Sequence, residues 1–424
     1  MTYNAVVCKI HTRPHPNADN IQLGVCRGNQ VVIGKDVKDG ELGVFFVTDG
    51  QLSSQFAEIH DLISRTDADG KKAGGFFAQN RRVRAQKFRG EKSDGYWVPL
   101  SYFDYTGVRQ SVLDEGYEFS ELNNHPICNK YVTEATRRAI FNQKAQPRKA
   151  NVMFAKHFET EKWRDRSDKI LPDSLIIITE KQHGSSHRLA RVLQPRNSTG
   201  LRKVVESVFG LVGFVPQPRW VIMHGSRNVV LNSDLDDLYY GTDFRAGSTK
   251  FLEEHLRKGE VIYGEIVGYS NVSSPIMGVQ DTTGLKDKEV TKKYGPKMVY
   301  AYGQADGTCK FYVYRITQVN DDGFAIDLSW AQVKERCAEI GVEHVREVWP
   351  PFIYDDDILS LTKKIEYLVE GQSVFDPSHI REGVCIRVEH ANEHFTLKHK
   401  SWLFGALEGY LKDKDEVVDA EEAA

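Results

Sequence analysis

The spacing of apolar and polar positions divides the chain into two stretches of different texture. Up to about residue 115, short β-branched or aromatic runs at 4–10, 30–33, 43–47, 82–88 and 96–99 are separated by Gly, Asn, Asp and Pro. Short strands so closely spaced predict a small β-barrel over 1–115. The segment Gly40-Glu-Leu-Gly43-Val-Phe-Phe-Val-Thr-Asp-Gly50 shows the pattern best, an apolar run between turn signals, as in a buried strand. Residues 116–165 are more polar, with a helical pattern over 134–140 and a breaker-containing stretch at 146–150, and predict a connecting segment that packs only in part. From 166 the apolar runs strengthen, predicting strands at 174–179, 260–268, 311–316, 383–388 and 395–398, with helices over 249–258, 329–340 and 357–367. This alternation predicts an α+β domain over 166–410, followed by an acidic, solvated tail at 411–424.

Composition narrows the class. Of 424 residues, 40% are hydrophobic and 27% charged, which excludes a disordered chain, and no apolar run approaches the ~20 residues that span a bilayer. The six cysteines are scattered without a CxxC pair, and no secretory signal opens the chain, so a reducing, cytoplasmic setting without disulfides or a zinc ribbon is expected. The net charge of −3 announces no polyanionic partner, but local clustering does. Residues 71–92 hold eight Lys or Arg against one acid, Glu91, interleaved with Phe76, Phe77 and Phe88; residues 181–205 hold six and no acid. Such stretches suit phosphates and stacked bases, with solvated basic faces as the plain alternative. Asp355-Asp-Asp357 reads as a helix start, not a metal cluster, and no GxxxxGK[ST] loop is present.

The chemistry-bearing segment is Thr179-Glu-Lys181-Gln-His183-Gly184-Ser185-Ser186, directly after an apolar strand. A lone KxxG is common by chance, but four further segments accompany it: Tyr263-Gly-Glu265, Lys310-Phe-Tyr-Val-Tyr-Arg-Ile316, Glu382-Gly383-Val-Cys-Ile-Arg387 and Leu397-Lys398-His-Lys400. In this order, from Leu175 to Lys400, they resemble the motifs of the covalent nucleotidyltransferases, which comprise ATP-dependent DNA and RNA ligases and mRNA-capping guanylyltransferases. The first motif of that superfamily usually reads KxDG; His183 in the third position resembles RNA ligases, and puts in doubt the metal or ribose contact the Asp would make. His183 as an ordinary turn histidine remains open.

The resemblance implies an RNA ligase with an N-terminal OB-type barrel and a C-terminal adenylyltransferase domain. It implies ATP and Mg²⁺ or Mn²⁺ as cofactors and RNA with 3′-hydroxyl and 5′-phosphate ends as substrate, handled by a cytoplasmic monomer that meets no membrane. Lys181 would be the nucleophile, with Lys398 and Lys400 on the α-phosphate. Glu180, His183, Gly184, Arg188, Glu265, Phe311 and Glu382 would contact the nucleotide, with Tyr312 an alternative to Phe311 for stacking on the base and Tyr314 read as packing. Glu265 and Glu382 would hold metal through water, and Arg84, Lys87, Arg89 and Arg227 would bind RNA. An amine of ordinary pKa ~10.4 must lose its proton to attack, and Lys398, Lys400 and metal are the expected depressants. Only 24 residues follow Lys400, which leaves no room for the C-terminal OB domain of DNA ligases and capping enzymes. Those two enzymes, and a non-catalytic RNA-binding barrel protein, are the alternatives.

Overall fold

The structure, a computed structural model, describes residues 3–48, 50–66, 72–132, 153–154, 156–158, 160–194, 219–227, 230–231, 244–285, 288–391 and 393–408. The predicted helix at 134–140, the breaker stretch at 146–150 and the acidic tail lie outside the described residues, as do Lys71, Arg196, Arg202 and Lys203. Contacts along the chain separate one unit built on Met1–Asn142 from a second built on Gln143–Leu407.

In the first unit, β1 (Ala5–Pro14), β2 (Ile21–Cys26), β3 (Asn29–Gly34), β4 (Glu41–Val47) and β5 (Gly95–Pro99) form an antiparallel sheet in the order β5-β4-β1-β2-β3. Alternation along the strands serves two cores. Val6, Cys8 and Ile10 join Phe45 and Trp97 in one apolar cluster, while Ala5, Val7, Val44 and Phe46 pack with Phe56 of α1 (Ser54–Ile59) in another. The Asp94 N–H donates to Gln30 O at 2.7 Å and the Val32 N–H to Ser93 Oγ at 3.0 Å. These bonds tie β3 to the chain entering β5, so the sheet nearly closes, as a small barrel requires. Two expectations are corrected. The predicted strand over 82–88 is extended only at Gln86–Phe88, which turns through Arg89 (φ 49) and Gly90 (φ 95) to pair with Glu91–Ser93. Strand β2 was not foreseen, because Gln22 and Gly24 interrupt its apolar pattern.

The second unit holds two sheets. One runs Glu161–Lys162, β13 (Glu393–Lys400), β12 (Gly383–His390), β6 (Leu175–Lys181), β11 (Glu347–Ile353). The other contains β8 (Arg219–Gly225), β7 (Ser185–Gln194), β9 (Glu260–Asn271) and β10 (Cys309–Val319) in that order. Strand β11 carries Pro350 and Pro351, which hid it in the sequence; it is an edge strand, where a missing N–H is tolerated. The helix expected at 249–258 is instead α2 (Phe244–Thr249) followed by a 3₁₀ turn, Lys250–His255. Its end is drawn inward by Ser248 and Thr249, whose hydroxyls donate back to Arg245 O at 2.8 and 3.1 Å. Helices α3 (Trp330–Glu339) and α4 (Ile358–Val369) match expectation; Ser329 caps α3 in a capping box, and Asp357 caps α4 through the Ser360 N–H at 2.9 Å. Leu361, Ile365 and Leu368 of α4 pack on Ile176, Ile178, Val384 and Ile386, the inner face of the first sheet.

Candidate active site

The turn 182–184 is the crossover between the two sheets: β6 ends at Lys181 and β7 begins at Ser185. Gly184 is required there, since a Cβ would sit 2.4 Å from Ile266 O and 2.9 Å from Glu265 Cγ. Lys181, with 15% of its side chain exposed, donates from Nζ to Glu382 Oε1 at 2.8 Å. Lys400, paired across the ladder with Gly383, reaches the same oxygen at 3.1 Å, and His183 Nδ1 lies 3.6 Å from Glu382 Oε2. Glu382 is thus the hub of three motif residues. Burial by itself would raise its pKa, but the ammonium groups of Lys181 and Lys400, with His183, hold it far below the usual carboxylate range. Lys400, one of the cations expected beside Lys181, thus shares a carboxylate oxygen with it. The His183 ring stands edge-on to Tyr300 and Phe404, each 4.9 Å away.

Directly before Lys181, Glu180 is 1% exposed; its Oε2 accepts from Val374 N–H at 2.6 Å, and burial pushes its pKa up to about 7 despite Ser373, Val374, Arg381 and Arg346 pulling it down.

Residues directly opposed in an antiparallel ladder share a face. Ser186, Glu265 and Tyr312 form one row across β7, β9 and β10, and Arg188, Tyr263 and Arg315 form the next on the same face. A register shift beside Gly264 leaves Tyr314 bulged, with its Oη 3.1 Å from Ser186 Oγ. The opposite face carries Ser185, Ile266 and Phe311, and α2 covers it: Arg245 Nε donates to Ser185 Oγ at 3.1 Å. Phe311, expected to stack on a base, therefore points away from Glu265 and packs edge-on to His187 at 6.0 Å, only 3% exposed. Tyr312, the alternative for that role, lies beside Glu265 and is 2% exposed, its ring edge-on to Phe375 at 4.8 Å.

Arg188 is 2% exposed, its guanidinium 4.2 Å over the Phe154 ring. Together with Arg227, Arg315 and Lys398 it surrounds His157, and burial first, then these four cations, drive the imidazole pKa well below its usual range. Arg315 is held by Asp327, with Nη2 donating to Oδ2 at 2.7 Å, and its Nη1 lies 3.3 Å from His157 Nδ1. Lys398 links this cationic group to the Glu382 cluster, being two residues from Lys400 on β13. His157 and Arg315 were missed from sequence: the first sits in the connecting segment outside every motif, the second inside a quoted motif without a distinguishing spacing. Arg84, Lys87 and Arg89 lie in the first unit, where Lys87 and Arg89 are exposed and Arg84 is half-buried.

As to a divalent cation, Glu382 Oε2 is buried without a hydrogen-bond partner, and hard oxygen donors of this kind suit Mg²⁺ or Mn²⁺. Among the described residues no group of three or more His, Cys, Asp or Glu converges as a metal site. The donor set fits an ion held by one or two carboxylates, waters and phosphate oxygens.

Solved structures of Naegleria gruberi RNA ligase resemble this chain: a lysine-to-methionine variant with AMP and Mn at 16% identity and TM-score 0.59, covering 94% of this chain and 96% of that one. A lysine-to-alanine variant with ATP and Mn gives 15% identity and TM-score 0.60, covering 94% and 98%. The same ligase with PPi gives 15% identity and TM-score 0.57, covering 95% and 97%. No curated protein matches the chain. The fold is that of an RNA ligase with its nucleotidyltransferase domain, and the nearly closed N-terminal sheet is compatible with an OB-type domain. The chain belongs to the RNA ligase family, whose model matches residues 174–400 and so spans every motif from the lysine turn to Lys400.

Proposed function

We propose that this protein is an ATP-dependent RNA ligase that seals 3′-hydroxyl and 5′-phosphate RNA ends, acting in RNA repair as a cytoplasmic monomer. The observation that carries the reading is the convergence of Lys181, His183 and Lys400 on the buried Glu382 within the segment matched by the RNA ligase family. The similar Naegleria gruberi RNA ligase structures with AMP or ATP and Mn support the choice of nucleotide and metal.

In the first step Lys181 Nζ, having given up a proton, attacks the ATP α-phosphorus; the N–P bond forms, the bond to the bridging oxygen breaks, and pyrophosphate leaves. Lys398 and Lys400 neutralise charge gathering on the α-phosphate in the transition state. Arg188 and Arg227 bind phosphate or the RNA end, and Tyr312 borders the base. A 5′-phosphate oxygen of RNA then displaces Lys181 from phosphorus, giving adenylylated RNA. Attack of a 3′-hydroxyl on the 5′-phosphorus forms the phosphodiester and expels AMP. Glu265 and Glu382 would hold Mg²⁺ or Mn²⁺ through water, and the ion would supply charge neutralisation at the phosphates. The N-terminal barrel acts as an OB-type module that grips RNA through Arg84, Lys87 and Arg89.

The test is incubation with α-labelled ATP or GTP and a divalent cation, followed by a denaturing gel. Label retained with ATP alone and absent from Lys181→Ala is expected. Labelling by GTP would instead favour a capping activity, and no label from nucleotide-free wild type would return the chain to the RNA-binding alternative.

A further inference from the structure

A strained residue outside every motif supports the nucleophile turn from below. Tyr302 is 2% exposed and has φ 52, a left-handed conformation that a bulky aromatic rarely adopts. A conformation of that kind persists only where its surroundings over-determine it, and such residues gather at functional sites. Three contacts hold this one. The Gly303 N–H donates to Asp376 Oδ2 at 2.9 Å. His379, fully buried and bonded through Nδ1 to Ile380 O at 2.8 Å, turns Nε2 toward the Tyr302 N–H at 3.4 Å. The Tyr302 ring stands edge-on between Phe375 and His379, at 5.9 and 4.6 Å.

What the strain delivers is a phenol at the motif turn. The Tyr302 hydroxyl oxygen accepts the backbone N–H of His183 at 2.6 Å, in the turn whose two flanking side chains both face Glu382. Removing that oxygen takes from the His183 amide the acceptor it uses here and loosens the peptide. Rotation there moves Lys181 on one side and the His183 ring on the other.

We infer that Tyr302 is a positioning residue for nucleotidyl transfer: its hydroxyl fixes the peptide at His183, and so aims Lys181, while taking no part in nucleotide binding. The inference rests on the lysyl-adenylate reading above. A misaimed nucleophile slows the chemical step and leaves ground-state affinity unchanged, a split that a general loss of structure does not produce.

The experiment is single-turnover adenylylation of the full chain, wild type against Tyr302→Phe, across ATP concentrations, with thermal melting of both. The Phe ring keeps the packing against Phe375 and His379. The expected result is a maximal rate roughly 10- to 100-fold lower, half-saturating ATP within about twofold, and a cooperative melt. Asp376→Ala, which releases the Gly303 amide and keeps the phenol, should lose less. A Tyr302→Phe rate within about twofold of wild type overturns the inference alone, as does a loss carried wholly by the half-saturating concentration. Failure of wild type to form any adduct overturns the lysyl-adenylate reading, and this inference with it.

Discussion

Glu180 and Glu382 lie two hundred residues apart in sequence, are equally buried at 1%, and titrate in opposite directions. The difference is in their company: two ammonium groups stand against Glu382, whereas burial prevails at Glu180, whose partners are the Ser373 hydroxyl, a backbone N–H and more distant guanidinium groups. A folded-state pKa of about 7 at Glu180 lies above its unfolded value. Its contribution to stability is therefore complete below the ordinary carboxylate range and is lost as pH rises through 7, by about 3 kcal/mol. Glu180→Gln should flatten the fall in urea midpoint between about pH 5 and 8. An unchanged slope in the variant would show that Glu180 ionises freely. Neither pKa was legible in the sequence, where each residue is one of many acids beside an apolar strand.

At the scale of elements, the site depends on how closely β6, β7 and β9 approach at one glycine. Every strand predicted for the second unit is present, because long β-branched runs leave little alternative to a buried strand. The strands that were missed, β7, β8 and β11, carry charges or prolines on part of their length, and periodicity is weakest where a strand lines a cleft or forms an edge. Gly184→Ala would force its methyl against Ile266 O and Glu265 Cγ, at 2.4 and 2.9 Å. Since one contact is backbone, the turn must shift; a destabilisation of ~1–3 kcal/mol is expected, with adduct formation reduced more than about tenfold. Normal labelling of a folded Gly184→Ala protein would mean that the turn tolerates displacement.

For the whole molecule, the RNA-gripping role proposed for the barrel is separable from the lysine chemistry. Changing Arg84, Lys87 and Arg89 together to Ala should weaken RNA binding and reduce the salt slope by up to about 2, at ~0.7 per phosphate contact, while ATP-dependent labelling of Lys181 continues. An unchanged slope across a salt series would remove these residues from the RNA surface. The order of the motifs, the strand contexts of Lys181, Glu265, Glu382, Lys398 and Lys400, and the barrel-like texture of the first hundred residues were all determined by the sequence itself. They are local properties: turn chemistry, apolar runs and residue type at short range. The bulge at Tyr314, the turning of Phe311 toward α2, the cations gathered round His157 and the support of Tyr302 beneath His183 were decided only by the tertiary structure. Each depends on which strands become neighbours and in what register, and a one-residue change of register sends a side chain to the other face of its sheet.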